Sequence, residues 1–241
     1  MPGKLFIGTS GYSYNHWKGV FYPKDIPASK WLEHFIKYFS TVELNNTFYR
    51  LPQAAAFRSW EKRTPKKFTY AVKASRFITH IKRLKDCRQP VKSFLSRAKL
   101  LKKKLGPILF QLPPRWKCNI HRLKEFVKLL PKDYVHVFEF RDPSWFNTEV
   151  YEVLKKNKLS FCIYSMPGIE CPDNVTSKVV YIRMHGGSVL YGSNYSDKEL
   201  KAWAKKIRTF LKQGRDVYIY FNNDAYGYAV KNALRLGKLL P

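Results

Sequence analysis

The sequence predicts an α/β fold, namely a TIM-like (β/α)8 barrel that forms a single domain over residues 1–241. Three observations predict it. Short apolar strands alternate with helical patterns along the whole chain, the count reaches eight strand-then-helix units, and no linker or low-complexity tract interrupts them. Such alternation requires a parallel sheet, and eight units favour a closed barrel over an open doubly wound sheet.

The predicted strands are short apolar runs that end in turn residues or polar groups. They cover residues 5–8, 41–45, 68–75, 108–112, 135–141, 160–165, 179–185 and 216–223. Apolar residues at helical spacing predict helices at residues 31–39, 54–63, 90–104, 119–130, 148–157 and 226–239, and one that begins at 196. Ser196 and Glu199 fit a capping box at that start. Residues 75–88, SRFITHIKRLKDCR, form a basic loop or short helix.

The composition indicates a folded protein with an extreme positive charge. Hydrophobic residues make up 45% of the chain, whereas 45 Lys and Arg face only 17 Asp and Glu, a formal net charge of +28. Such a field favours polyanions, with nucleic acid first. The alternative is a generally cationic surface without a dedicated partner.

The location expected from the sequence is the cytoplasm, with no membrane partner. The first strand begins too early for a signal peptide, and no apolar run approaches membrane-spanning length. The four cysteines have no C-x-x-C spacing and no neighbouring His, which argues against a structural zinc site. Composition and spacing leave the oligomeric state open.

Polar side chains follow one parity at the carboxyl ends of most predicted strands. They are Glu43, Asn45, Lys73, Gln111, Glu139, Arg141, Tyr164, Arg183, His185, Tyr220 and Asn222, with Asn223 and Asp224 just beyond. In a barrel these ends meet at one mouth, where function is usually found. Lys73, Arg141 and Arg183 outnumber Glu43 and Glu139, so the mouth should suit an anion such as phosphate. An internally neutralised ion-pair network is the alternative.

Rings and cations are concentrated in the predicted loops above these strand ends. The rings are Tyr12, Tyr14, Trp17, Tyr49, Trp116, Trp145, Tyr191 and Tyr195, and the cations are Arg76, Lys82, Arg83, Lys85, Arg88, Arg115 and Lys117. Aromatic faces beside cations suit unstacked bases, and sugars would stack there too. We expect about half of the rings to pack the loops onto the barrel instead.

Seven strand-end motifs in order resemble the YecE-like family, also called domain of unknown function 72. They are GTSGYSYNHWKG at 8–19, TVELNNTFYRLP at 41–52, FTYAVKASRFITH at 68–80, GPILFQLPPRW at 106–116, VFEFRDPSW at 137–145, VYIRMHG at 180–186 and YFNNDAYGYAVKNA at 220–233. The resemblance covers nearly the whole chain and implies a TIM-like barrel. It also implies a shape similar to the endonuclease IV group, from which a nucleic-acid role follows by analogy.

The chemistry predicted for the mouth is binding of nucleic acid or another phosphate-bearing anion, with a phosphodiester or glycosidic bond as the target of any hydrolysis. Whether the chain is an enzyme stays open. Glu43, Glu139 and His185 are the candidate acid, base or metal-holding groups. The candidate ligand-binding residues are Tyr12, Asn45, Tyr49, Lys73, His80, Gln111, Arg141, Trp145, Arg183, Asn222, Asn223 and Asp224.

No cofactor is firmly predicted. Of the six His, only His185, His80 and His16 are expected near the mouth, too few for a multinuclear zinc centre, while Mg²⁺ or another divalent metal on carboxylates stays open. The alternative function is a non-catalytic module that binds a small phosphorylated or sugar-like metabolite.

Overall fold

The structure, a computed structural model, describes residues 1–240. It contains eight strands: β1 (Leu5–Thr9), β2 (Thr41–Leu44), β3 (Thr69–Lys73), β4 (Leu105–Gln111), β5 (His136–Glu139), β6 (Ser160–Ser165), β7 (Val179–Met184) and β8 (Asp216–Phe221). The sheet order is β1-β8-β7-β6-β5-β4-β3-β2, so each consecutive pair from β2 to β8 is adjacent and the first strand lies beside the last. This is the strand order of the (β/α)8 class, and the predicted fold class is confirmed.

Helices fill most of the connections between strands. They are α1 (Trp31–Phe35), α2 (Asn46–Tyr49), α3 (Ala54–Lys62), α4 (Arg88–Ala98), α5 (Ile120–Val127), α6 (Thr148–Lys156), α7 (Asp197–Lys212) and α8 (Tyr228–Leu239). The count of eight strand-then-helix units exceeds the seven helices predicted from periodicity, and the connection left without a predicted helix, residues 166–178 between β6 and β7, contains none in the structure. Pro167 and Pro172 break helices, and Gly168 has the left-handed φ of +77°.

Contacts between residues divide the chain into two compact units. Unit 1 comprises residues 1–43, residues 163–173 and the described chain from Lys178 onward. Unit 2 comprises residues 44–162 and 174–177. The expectation of a single domain stays a prediction.

In unit 1, β8 pairs in parallel with both β1 and β7. Ser10, directly after β1, forms a parallel bridge with Glu43 in β2, which brings the two residues side by side. The predicted capping box at the start of α7 is confirmed, since the Glu199 N–H donates to Ser196 Oγ and the Ser196 N–H donates to the Glu199 carboxylate. Helix α8 begins two residues later than predicted because Gly227 has a φ of +70°.

In unit 2, β4 pairs in parallel with β3 and β5, and Gln111 lies opposite Glu139 at the carboxyl end of the β4–β5 pair. The basic stretch at residues 75–88 folds as one π-helical turn, Phe77–Ile81, followed by a loop that ends where α4 begins at Arg88. Three residues of that loop, Arg83, Leu84 and Asp86, have positive φ although none is glycine. Such π-turns and left-handed residues are uncommon, and both occur preferentially at functional sites.

Candidate functional site

The polar strand ends of unit 1 form one buried hydrogen-bonded group, here called the Glu43 cluster. Its members are Ser10, Glu43, Tyr181, Arg183, His185 and Asn222. Strand parity explains the grouping, because Tyr181, Arg183 and His185 alternate along β7 and its end and therefore share one side. The structure thus brings together two of the three predicted catalytic residues, Glu43 and His185.

The Glu43 carboxylate accepts hydrogen bonds from four donors. Arg183 donates from Nη2 to Oε1 at 2.7 Å and from Nε to Oε2 at 3.0 Å, which is the bidentate geometry typical of this pair. Ser10 Oγ also donates to Oε1, and the Tyr181 hydroxyl donates to Oε2 at 2.5 Å. Both charged side chains are almost completely buried, 0% exposed for Glu43 and 1% for Arg183. Every lone-pair position of this carboxylate is therefore in use.

Tyr181 remains protonated at neutral pH. Burial raises the pKa of its hydroxyl well above the ordinary value, and the negative charge of Glu43 raises it further. A protonated hydroxyl can donate to the carboxylate, as the geometry requires. Sequence reasoning missed Tyr181 as a site residue, although its position two residues before Arg183 in β7 was a usable signal.

His185 lies between two neighbours that constrain its tautomer. Nε2 is 3.4 Å from Arg183 Nη1, and Nδ1 is 3.0 Å from the side-chain amide of Asn222. Arginine only donates, so a hydrogen bond from Arg183 to Nε2 requires the Nε2 lone pair and places the imidazole proton on Nδ1. The Asn222 atom beside Nδ1 is the amide nitrogen Nδ2, so this tautomer requires the opposite orientation of that amide, in which Oδ1 accepts. His185 itself is 0% exposed.

The remaining predicted residues of unit 1 have mainly structural contacts. Asn223 is buried and donates to the Ser193 carbonyl and to Asn232, both at 2.8 Å. The Asp224 carbonyl lies 2.6 Å from His16 Nε2, and burial raises the pKa of the Asp224 carboxyl. Tyr12, half-buried, accepts a hydrogen bond at its carbonyl from the Tyr22 hydroxyl.

A second group of charged side chains occurs in unit 2 and is here called the Lys73 cluster: Phe48, Lys73, His80, Glu139 and Arg141. Lys73 Nζ lies 4.1 Å from the centroid of the Phe48 ring, a cation–π distance, and His80 meets the same ring edge-on at 4.9 Å. Arg141 Nε donates to Glu139 Oε1, and Glu139 Oε2 lies 3.8 Å from the Cys162 thiol.

The electrostatic field at His80 is positive. Its pKa is lowered from 6.5 to about 4, mainly because the ring is partly buried and then because Lys73, Arg76 and Arg141 are close. The negative charge of Glu139 acts in the opposite direction. The Lys73 cluster with Arg76 therefore holds three cations against one carboxylate. Arg76 and Phe48 were not among the predicted site residues, although both flank predicted ones in sequence.

Rings, cations and one aliphatic side chain continue from this cluster over the surface and are together called the basic–aromatic surface. It comprises the exposed Tyr49, Arg76, Phe77 and Ile81 and the half-buried Lys82. Tyr49 follows Phe48, and Phe77 and Ile81 belong to the same π-turn as His80. Tyr49 is 72%, Phe77 43% and Ile81 62% exposed, which is unusual for large apolar side chains. Lys82 Nζ lies 5.9 Å from the Phe77 ring centroid.

The other predicted residues of unit 2 differ in their environment. Trp145 is fully buried, stacks on Phe140 at 4.9 Å and donates its indole N–H to the Trp116 carbonyl at 2.7 Å, so this ring holds a loop. Gln111 is half-buried and its Nε2 donates to the Leu112 carbonyl. Asn45, also half-buried, directly precedes α2.

Potential metal ligands do not gather in the part of the chain that the structure describes, because no group of three or more His, Cys, Asp or Glu side chains lies close enough to hold an ion. Within residues 1–240, no helix is both long and apolar enough to cross a membrane.

Comparisons with known proteins agree with the fold and the strand-end motifs. The chain is 28% identical over 270 residues to the UPF0759 protein YunF of Bacillus subtilis (strain 168), covering 98% of this chain and 94% of that protein. It is 28% identical over 146 residues to the UPF0759 protein YecE of Escherichia coli (strain K12), covering 59% and 50%.

The fold is similar to that of a solved DUF72 family protein from Thermotoga maritima, with a TM-score of 0.89, 29% identity and 98% of each chain covered. The family model described as "Protein of unknown function DUF72" matches residues 6–241, nearly the full length of the sequence. The predicted resemblance is confirmed: this chain belongs to the DUF72 family.

Proposed function

We propose that the chain binds nucleic acid with unstacked bases through the Lys73 cluster and the basic–aromatic surface of unit 2. The observation that carries the proposal is the combination of exposed rings with an excess of cations. Tyr49 and Phe77 present large aromatic faces to solvent beside Arg76 and Lys82. Proteins that hold single strands combine these two elements, a cationic path for the backbone and rings on which bases stack.

The cationic part of this surface suits phosphate. Arg76 is exposed and Lys82 is half-buried, whereas Lys73 and Arg141 lie beneath them at 8% and 7% exposed and add positive charge near His80, which Glu139 partly offsets. A phosphate in this field would gain charge-assisted hydrogen bonds and would displace counterions from the strand. The formal net charge of +28 would strengthen attraction of any polyanion from a distance.

The aromatic side chains of the basic–aromatic surface favour a ligand that carries bases over phosphate alone. Exposed apolar residues of this size are costly to leave in water unless a partner covers them. Stacking of one base on one ring contributes roughly 1–3 kcal/mol and tolerates any base, because every base has a π-face. We therefore expect little sequence preference and a preference for single strands over duplex.

The contacts of the carboxylates favour binding over hydrolysis of a phosphodiester or glycosidic bond. A general base needs a free lone pair near the substrate, whereas Glu43 accepts four hydrogen bonds and Glu139 is engaged by Arg141. Incubation of the protein with abasic, nicked and single-stranded substrates, with and without divalent metal, tests this point. Turnover that Glu139→Gln abolishes would assign acid–base chemistry to Glu139.

The binding proposal is tested by fluorescence anisotropy with a short labelled single strand. The variant Arg76→Ala/Lys82→Ala removes two cations from the basic–aromatic surface. Its matched control is Lys66→Ala/Lys67→Ala, which removes two exposed lysines elsewhere in unit 2. We expect the first variant to weaken binding about tenfold or more through lost phosphate contacts, and the control to lose much less.

Two results would overturn the proposal: no binding of the oligonucleotide at low salt, or equal losses in both double variants. Absence of oligonucleotide binding, together with saturable binding of a small phosphate or sugar at Lys73, would instead favour the metabolite-binding alternative.

A further inference from the structure

Two large apolar side chains of the π-turn Phe77–Ile81 lie exposed at the surface of unit 2. Phe77 is 43% and Ile81 62% exposed, whereas Ile78 and Thr79 between them are buried. Residues four apart on a helical turn lie on one face, so the two exposed side chains are neighbours. They are here called the Phe77/Ile81 pair.

Base stacking accounts for only one member of this pair, because Ile81 has no ring on which a base can stack. An aliphatic side chain gains free energy only through the apolar area that a partner removes from water. In proteins that kink DNA, apolar side chains such as Phe and Ile enter between neighbouring bases, where base faces cover them. This is a contact that suits both Phe77 and Ile81.

Backbone hydrogen bonds and buried side chains fix the π-turn. The Lys82 N–H donates to the Phe77 carbonyl at 2.9 Å. The Leu84 N–H donates to the Ile78 carbonyl at 3.0 Å, so the loop that follows folds back on the turn. Ile78 and Leu84 are 1% and 3% exposed and anchor the turn and the loop in the core. The pair is therefore presented by a backbone that is held from below.

Cations adjoin the pair at both of its ends. Arg76 directly precedes it and is exposed, and Lys82 directly follows it, is half-buried and has its Nζ 5.9 Å from the Phe77 ring centroid. Residues 70–85 contain no Asp or Glu, and Asp86 is the first acidic residue beyond them. Phosphates beside a separated pair of bases would meet these cations, so the charge favours nucleic acid over an uncharged apolar partner.

The cost of separating stacked bases decides which nucleic acid suits this pair. The cost is higher inside a regular duplex and smallest where a base is already unpaired or mismatched. Where a duplex meets a single strand, the last base pair also presents the faces of two bases, a larger apolar area than one unpaired base offers. Such a junction therefore combines a small cost with a large contact.

We infer that the basic–aromatic surface binds the junction between a duplex and a single strand, with Phe77 and Ile81 inserted between the last base pair and the first unpaired base. This binding mode rests on the proposed function and narrows its ligand, since the unpaired strand continues to stack on Tyr49. The Phe48 ring lies 5.1 Å from the Tyr49 ring and 4.9 Å from that of His80, so one buried ring joins Tyr49 to the π-turn.

Fluorescence anisotropy with three ligands that share one labelled strand tests this binding mode: the single strand, a blunt duplex and a duplex with a single-stranded extension. We expect the extended duplex to bind about fivefold or more tightly than either of the others at equal salt. Ile81→Ala should remove most of that advantage and keep the single-strand affinity within about twofold, and Ile81→Leu should retain the advantage. The matched control is Val189→Ala, which truncates an aliphatic side chain of similar exposure, 60%, in unit 1.

The methyl proton resonances of Ile81 give a readout that does not depend on a variant. Base faces on both sides of the side chain should shift these resonances upfield through ring currents, and more with the extended duplex than with the single strand. Three results would overturn the junction mode: no advantage of the extended duplex, equal losses of affinity for all three ligands in Ile81→Ala, or unshifted Ile81 methyl resonances in the complex.

The single-strand arm separates failure of the junction mode from failure of the proposed function. Single-strand binding that depends on Arg76 and Lys82, without a preference for the extended duplex, would overturn the junction mode alone. Absence of binding to every oligonucleotide at low salt would overturn both.

Discussion

The Glu43 cluster of unit 1 and the Lys73 cluster of unit 2 both place a Glu and an Arg at strand ends, yet their environments differ. In the Glu43 cluster the carboxylate is matched by Arg183 and by two hydroxyl donors, and both charged residues are sealed from solvent. In the Lys73 cluster Glu139 is engaged by Arg141, and Glu139, Arg141 and Lys73 are also buried, at 0%, 7% and 8% exposed. Here, however, the exposed Arg76 and exposed rings continue from the group to the surface.

The difference teaches that charged residues at strand ends are not sufficient to mark a binding site. A buried ion pair whose hydrogen bonds are complete holds the structure and leaves nothing for a ligand. Accessible cations, here Arg76 and Lys82, next to exposed aromatic surface leave both an electrostatic and an apolar contact to be made. The following predictions test whether the two clusters divide their roles in this way.

The largest effect is expected from Glu43→Gln. This change leaves the Arg183 guanidinium buried without its counter-charge, and breaking such a pair costs about 3–5 kcal/mol of the free energy of unfolding. Chemical denaturation measures it, with Glu125→Gln on the exposed face of α5 as the control that should change little. Unaltered stability of Glu43→Gln would show that the cluster is open to water and that its charges are available to a ligand.

The next effect is expected from Tyr49→Ala, in the affinity for a single-stranded oligonucleotide. Loss of one stacking surface should weaken binding by roughly 1–3 kcal/mol without changing the free energy of unfolding, because the ring is 72% exposed. Tyr38→Ala removes a ring of comparable exposure, 52%, in unit 1 and serves as the control. Equal affinities for the two variants would remove base stacking on Tyr49 from the account.

A smaller effect is expected in the titration of His80. The pKa near 4 in the free protein lies below the ordinary 6.5, so the folded state disfavours the imidazolium and its stability declines as pH falls from 6.5 toward 4. A bound phosphate backbone would offset Lys73, Arg76 and Arg141 and should raise this pKa. NMR of the imidazole Cε1–H during a pH titration measures the shift, and an unchanged midpoint with oligonucleotide bound would place the phosphates elsewhere.

The fold was predictable from the sequence because strand and helix periodicity survive as local patterns. The strand at residues 160–165 and the capping box at Ser196 illustrate this, since each depends on near neighbours in sequence. The absence of a helix between β6 and β7 was readable from Pro167, Gly168 and Pro172, and the sequence predicts no helix there. The π-turn Phe77–Ile81 carries no comparable signal.

The candidate site was predictable only in part, because parity assigns a side chain to one side of a strand but not its partners. It correctly grouped Glu43, Arg183 and His185, yet it could not show that Ser10 and Tyr181 complete the hydrogen bonds of Glu43. The sequence also did not show which aromatic side chains are exposed to solvent. Trp145 and Tyr49 both looked like loop rings, but Trp145 is buried against Phe140 whereas Tyr49 faces solvent.

The salt dependence of oligonucleotide affinity tests the central claim most directly. For a single strand the logarithm of the binding constant falls with the logarithm of salt by about 0.7 per phosphate neutralised, so Arg76→Ala/Lys82→Ala should make that slope shallower by about 1.4. The control Lys66→Ala/Lys67→Ala should keep the slope of the unmodified protein. Equal slopes for the two double variants would contradict the account, because binding would then follow the overall charge of +28 and not the surface around Lys73.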